Sequence, residues 1–142
     1  KYGYSIGEML SILNKKSGME GISGVSSDFR DLEEGAEKGS ERCALAREKF
    51  AYEVKKLIGA YAAVMGGVDA IIFTAGVGEN DALERMQIAS GLEYMGVKMD
   101  EDANNVRGEE RVISAADSKV KVLLIPTNEE LMIAMDTASL VG

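Results

Sequence analysis

A chain of 142 residues, 46% of them hydrophobic, can bury a core of ordinary domain size, so its length excludes no globular class. Its 24 acidic residues against 16 basic ones leave a net charge of −8, which argues against a nucleic-acid or anionic-membrane binder that works by long-range attraction. The absence of histidine excludes Ser-His-Asp and Cys-His machinery and His-containing zinc sites, so any chemistry must use carboxylates, backbone amides, Arg, Lys or a bound metal.

Ser5-Ile6-Gly7-Glu8 has the spacing of a capping box and precedes Met9, Leu10, Ile12 and Leu13 at helical intervals, which predicts a short first helix stopped by Gly18. Gly21 to Ser27 reads as a loop, and Asp28 to Lys38 as a charged helix ended by Gly39. Ser40 then caps the longest helix, Glu41 to Met65, with Ala46, Phe50, Val54, Leu57, Ile58, Tyr61 and Met65 expected on its buried face. Cys43 lies in this pattern; it has no partner for an internal disulfide and reads as a packing residue in a reducing cytoplasm. No apolar stretch is long enough to span a bilayer or resembles a secretory leader.

Ala70-Ile71-Ile72-Phe73 is apolar without alternation, which predicts a strand buried on both faces of a parallel sheet. Asn80 is placed to cap a helix from Asp81 to about Tyr94, followed by Gly96 and a short extended piece, Val97-Lys98-Met99. Asp100 to Glu110 is a polar connection, Arg111 to Ser114 a short edge strand, and Val120 to Ile125 a second buried strand closed by Pro126. The last helix starts near Thr127 or Asn128 and runs to about Leu140. A βαβα order in the second half predicts a parallel α/β sheet, while the first half is mostly helical. The first 66 residues are balanced at ten basic and ten acidic, so all the excess negative charge falls in the second half.

Three stretches carry possible chemistry. Thr74-Ala75-Gly76-Val77-Gly78-Glu79-Asn80 joins a buried strand to a helix, where glycines let the backbone approach a phosphate; the same pattern also suits an ordinary tight turn. It is neither a dinucleotide fingerprint nor a Walker A loop, since Asp81 follows where the first needs Gly and no Gly-Lys-Ser/Thr follows. Pro126-Thr127-Asn128-Glu129-Glu130 ends the other strand, and ligands in open α/β sheets bind beyond such strand ends. Thr127 and Glu130 have capping-box spacing, which leaves Glu129 as the candidate for Mg2+. Asp28 and Arg30 begin a helix, where they could hold a ribose hydroxyl and a phosphate or base, or Asp28 could serve only as the cap.

In this order the three stretches resemble the carboxyl-terminal part of the acetate kinase family. The stretches that carry the resemblance are LNKKSGMEGISGVSSDFRDLEEG (13–35), VDAIIFTAGVGEN (68–80) and SKVKVLLIPTNEELMIAMDT (118–137), with GLEYMGVKMD (91–100) between them. The resemblance implies an α/β fold of the sugar kinase, actin and heat-shock ATPase type, with the whole chain, 1–142, as a single-domain fragment on the nucleotide side of the carboxyl-terminal domain. It further implies transfer of the ATP γ-phosphoryl group to acetate, giving acetyl phosphate and ADP with Mg2+, by a cytoplasmic homodimer with no nucleic-acid or membrane partner.

Carried over by motif, the implied nucleotide contacts are Asp28, Phe29 and Arg30 together with Gly76, Val77, Gly78, Glu79 and Asn80, and the implied magnesium carboxylate is Glu129. Ala75 stands where many relatives have Gly, and Val77 where Ile is common; Ala75 is awkward if that position needs positive φ. The resemblance also places the family's acetate-positioning and transition-state arginines, catalytic Asp, histidines and a magnesium-site Asn upstream of this sequence. The chain is therefore expected to hold no catalytic residue and not to turn over alone. A propionate or butyrate kinase fragment and a non-catalytic dimerisation module are the alternatives.

Overall fold

The computed structural model describes residues 3–141. The chain divides into two compact units, Lys1–Tyr61 and Ala62–Gly142.

The first unit is helical. Helix α1 (Ile6–Lys15) opens on the expected capping box: the Glu8 amide donates to Ser5 Oγ at 3.3 Å and the Ser5 amide to Glu8 Oε2 at 2.8 Å. None of its residues is buried. Gly18, read as the stop of the first helix, begins another, α2 (Gly18–Ser23), which runs into the expected loop at 21–27 as far as Ser23; Met19 and Ile22, three apart, give this helix an apolar edge that packs on the core. Helix α3 (Phe29–Glu37) follows, and Gly39, at φ +89°, turns the chain into α4 (Glu41–Met65). Ser40 Oγ accepts from the Cys43 amide at 3.3 Å, the predicted cap.

The core of this unit is Leu32, Cys43 and Ala46, all fully buried, with Met19, Ile22 and Ala36 against it. Cys43 is thus a packing residue, as expected. Arg42 fastens α4 to the end of α2 through the carbonyl oxygens of Ile22 (2.8 Å) and Gly21 (3.1 Å). The predicted apolar face of α4 is buried only in its first half. Leu57, Tyr61 and Met65 are exposed, while Arg47, a charged residue of the same helix, is buried with Glu33 at 3.9 Å.

The second unit is a three-stranded mixed sheet with flanking helices. Strands β1 (Ala70–Phe73) and β3 (Lys121–Leu124) pair in parallel, Ala70 opposite Lys121 and Phe73 opposite Leu124. Strand β2 (Arg111–Val112) adds antiparallel to β3 as the outer strand, so the order is β1-β3-β2. The expected extended piece at 97–99 is present as two isolated bridges, Val97 to Val120 and Met99 to Ser114.

The expectation that β1 is buried on both faces is not met. Phe73 is buried, Ile71 half-buried, and Ala70 and Ile72 exposed, because these residues cover only one face of the strand. The helix anticipated from Asp81 to Tyr94 is shorter: α5 (Ala75–Asn80) takes up the glycine stretch, α6 (Ala82–Ala89) follows, and Gly91 at φ +85° breaks it before a 3-10 turn at Glu93–Met95. Helix α7 (Glu101–Asn104) lies within the polar connection. The last helix, α8 (Glu129–Val141), has no buried residue, so Leu131, Ile133 and Leu140 make no core within these residues. No helix among the described residues is long and apolar enough to cross a membrane.

Candidate functional site

The parallel pair β1 and β3 carries both polar stretches at its carboxyl end. A last ladder bond, from the Ile125 amide to the Phe73 carbonyl oxygen at 3.0 Å, keeps the two chains together as they leave the sheet. From Thr74, extended at φ −153°, the chain turns at Ala75, whose φ is +58°. The glycines therefore do not make the turn. Gly76 and Gly78 are helical, and the left-handed position falls on an alanine, the strained case the sequence reading names. What Gly76 provides is space: a Cβ added there would meet nothing within 4 Å. At Gly78 it would touch the end of β1, 3.4 Å from the Phe73 carbonyl carbon.

Asn80 does not cap α6, since its Nδ2 donates back to the Gly76 carbonyl oxygen at 2.9 Å. The cap is Asp81, whose Oδ1 accepts from the Glu84 amide at 2.8 Å. Glu79 reaches the other stretch: its Oε1 accepts from the Thr127 amide at 2.8 Å and from Thr127 Oγ1 at 3.0 Å. Those bonds, chiefly the one from the amide, hold its carboxyl below the usual carboxylate range. With Thr127 engaged in this way, the proposed Thr127–Glu130 capping box does not form. Asn128 caps α8 instead, its Oδ1 accepting from the Leu131 amide at 3.1 Å, and Glu129 stands exposed as the first residue of that helix.

Beneath the turn lies a group that sequence reasoning missed. Arg85 of α6 is fully buried and donates to the Gly78 carbonyl oxygen (2.8 Å), Asn104 Oδ1 (2.8 Å), the Asn104 carbonyl oxygen (2.7 Å) and the Val106 carbonyl oxygen (2.8 Å). Burial pulls its pKa down, and the Asp81 carboxylate opposes that shift. A signal existed: Arg85 shares the i, i+3, i+4 face with the buried Ile88 and Ala89, so it lies on an apolar stripe.

Asp28, Phe29 and Arg30 belong to the first unit, and Gly76 to Asn80 and Glu129 to the second. Asp28 caps α3, accepting from the Arg30 amide at 2.9 Å, and its carboxylate also receives Arg30 Nε (3.0 Å) and Nη2 (2.6 Å). The guanidinium and then the amide of Arg30 draw the Asp28 pKa down to about 2. Phe29 packs edge-on to Phe50 with ring centroids 4.8 Å apart.

The acetokinase family model matches residues 1–135. The chain is 63% identical over 135 residues to an acetate kinase of Dictyoglomus turgidum, covering 95% of this chain and 33% of that one. Among solved structures, a Porphyromonas gingivalis acetate kinase superposes with a TM-score of 0.91 at 46% identity, covering 99% of this chain and 35% of the other. A Francisella tularensis propionate kinase does so at 0.81 and 39%, with 93% and 33% coverage. The chain spans about a third of the length of these proteins.

Proposed function

The chain belongs to the acetokinase family, and from that premise we propose that it supplies the nucleotide side of a kinase that moves the γ-phosphoryl group of ATP to acetate. The observation that carries the proposal is the junction at the end of the parallel pair. An open glycine turn after β1 and the first residue of α8 after β3 are bonded together through Glu79 and Thr127 at the strand ends where α/β folds take their ligands.

In this reading the backbone of Gly76, Val77 and Gly78 approaches the phosphates, the bare Cα of Gly76 leaving room for them, and Asn80 closes the turn from behind. Asp28, Phe29 and Arg30 serve the nucleoside. No group of three carboxylate or thiol ligands gathers among the described residues. A single exposed carboxylate at Glu129 suits Mg2+, which commonly takes one or two carboxylates and completes its shell with water and substrate phosphate. Bound there, the ion would neutralise charge on the phosphoryl oxygens. An acetate oxygen forms the new bond to the γ-phosphorus as the bond to the β–γ bridging oxygen breaks, leaving ADP. This step is governed by positioning and charge stabilisation, and arginines outside this chain are required for it. What supports acetate as the acid is that the relatives at 63% and 46% identity are acetate kinases. The same reading makes the whole kinase a cytoplasmic homodimer.

Calorimetry of the chain with Mg2+ and ADP tests the proposal. Binding that Gly76→Val weakens supports it, because a Cβ at that position meets no protein atom within 4 Å; absence of binding favours a non-catalytic module. Incubation with ATP, Mg2+ and acetate should give no acetyl phosphate at enzyme-like rates. Turnover of acetate, propionate and butyrate by the full-length kinase distinguishes the acids, and Glu129→Gln in that protein should weaken the magnesium dependence more than nucleotide binding.

A further inference from the structure

Glu79 is the one carboxylate within the glycine turn, and two observations argue against its touching a phosphate. An ionised carboxylate only accepts hydrogen bonds, so it has none to give to a phosphate oxygen. Its Oε1 is already occupied by both donors of Thr127, a residue 48 positions away. The main chain of Glu79 is engaged as well, its carbonyl oxygen accepting from the Gly108 amide at 3.1 Å. Besides the Ile125–Phe73 bond, the Glu79 carboxylate fastens the segment after β3 to the segment after β1. Thr127 is followed at once by the cap of α8, Asn128, and by Glu129.

We propose that Glu79 is a positioning residue: by accepting from Thr127 it sets the distance between the glycine turn and the first turn of α8, and so between the phosphates and the carboxylate of Glu129. The proposal rests on the reading of those two elements as the phosphate and magnesium sides of one site. It differs from that reading in what it requires of Glu79, which is acceptor geometry and not negative charge at the ligand.

The test uses the full-length kinase and four variants, Glu79→Gln, Glu79→Ala, Thr127→Val and the double Glu79→Ala/Thr127→Val. Magnesium titrations at fixed ATP and separate kcat and KM values are measured for each. A glutamine oxygen still accepts from both Thr127 donors, so Glu79→Gln should stay within about threefold of the unaltered enzyme in the magnesium needed for half-maximal rate. Glu79→Ala should raise that requirement about tenfold, Thr127→Val by less, and the double variant no more than Glu79→Ala. Thr127→Val removes one hydroxyl and keeps the amide, so it remains informative if Glu79→Ala folds poorly. Glu79→Gln as damaging as Glu79→Ala, or additive losses in the double variant, would overturn the proposal by making Glu79 a charged ligand or a residue independent of Thr127. A full-length protein with no magnesium-dependent nucleotide turnover sinks the kinase reading instead. The Glu79–Thr127 coupling is then read from urea unfolding of the same proteins, where non-additivity supports the latch and additivity refutes it.

Discussion

Arg85 donates from Nη1 to the carbonyl oxygen of Gly78 at 2.8 Å, fastening the glycine turn to the strand-connecting segment at 104–106 from its buried side. The guanidinium offers donors in three directions, and the carbonyls of Asn104 and Val106 take two more of them. A buried acceptor left without its donor costs about 1–3 kcal/mol. The Asn104 carbonyl oxygen keeps the Val106 amide at 2.8 Å, so Arg85→Met takes the donor from the Gly78 and Val106 carbonyl oxygens and from Asn104 Oδ1, and should lose on the order of 3 kcal/mol, while Arg85→Lys, which can reach one of them, should lose roughly 2 kcal/mol. Denaturant unfolding measures both. A lysine variant as stable as the original would mean that the charge matters and the fork does not.

Ala75 holds φ +58° in a region where a Cβ crowds the carbonyl oxygen. Ala75→Gly removes that strain but adds freedom to the unfolded chain, and the balance should favour the folded state by roughly 0.5–1 kcal/mol. Nucleotide affinity should be kept or improved, because the turn keeps its shape. A melting temperature that falls on this change would show that the left-handed position is not a source of strain.

Asp28 gives a pH dependence with a defined sign. Its carboxyl titrates at about 2 in the folded chain against an ordinary 3.8, with the Arg30 guanidinium as the first cause and the Arg30 amide as the second. Lowered in the fold, it stabilises the folded state fully above about pH 4, and that contribution disappears as the pH falls toward 2. The pair is exposed, so salt should weaken the effect. An NMR titration of the Asp28 side chain should show the low midpoint, and Arg30→Gln should move it only part of the way to 3.8, since the amide bond of the cap remains. A midpoint at the ordinary value in the unaltered chain would remove the ion pair from the description of α3.

What was legible in the sequence was mostly local. Ser5 with Glu8, Asp28 at the start of α3 and Ser40 at the start of α4 are signals contained in three or four residues, and each forms as its spacing suggests. The two apolar runs at 70–73 and 120–125 likewise become paired parallel strands. The departures occur where a distant residue competes for the same atom. Thr127 has capping-box spacing with Glu130, yet Glu79, 48 residues back, takes both its donors, and the cap passes to Asn128. Asn80 bonds back to Gly76 inside a short helix, and the cap of α6 moves on to Asp81. Burial was the other gap. Ile72 and the apolar side chains of α8 look like core residues in the sequence and are exposed here, where the chain spans about a third of its relatives. Arg85 is buried because four acceptors converge on it; its place on the stripe of Ile88 and Ala89 hints at burial, but the acceptors come from Gly78, Asn104 and Val106, which no local pattern brings together.

Gly35 lies inside α3, where exchanging glycine for alanine ordinarily strengthens a helix by up to about 1 kcal/mol. Here the neighbour decides otherwise. A Cβ at Gly35 would stand 2.6 Å from Cys43 Sγ and 3.2 Å from its Cβ, and Cys43 is fully buried beside Leu32 and Ala46. Overpacking of that kind costs about 1–3 kcal/mol, so Gly35→Ala should destabilise the first unit by roughly 1–2 kcal/mol after the helical gain. Cys43→Ala alone leaves a small void and should also destabilise. Combined, the new methyl occupies the space the sulfur vacates, and Gly35→Ala/Cys43→Ala should be more stable than either single variant. Urea midpoints of the three proteins settle the matter: a Gly35→Ala chain more stable than the original would mean that α3 and α4 do not pack at this distance.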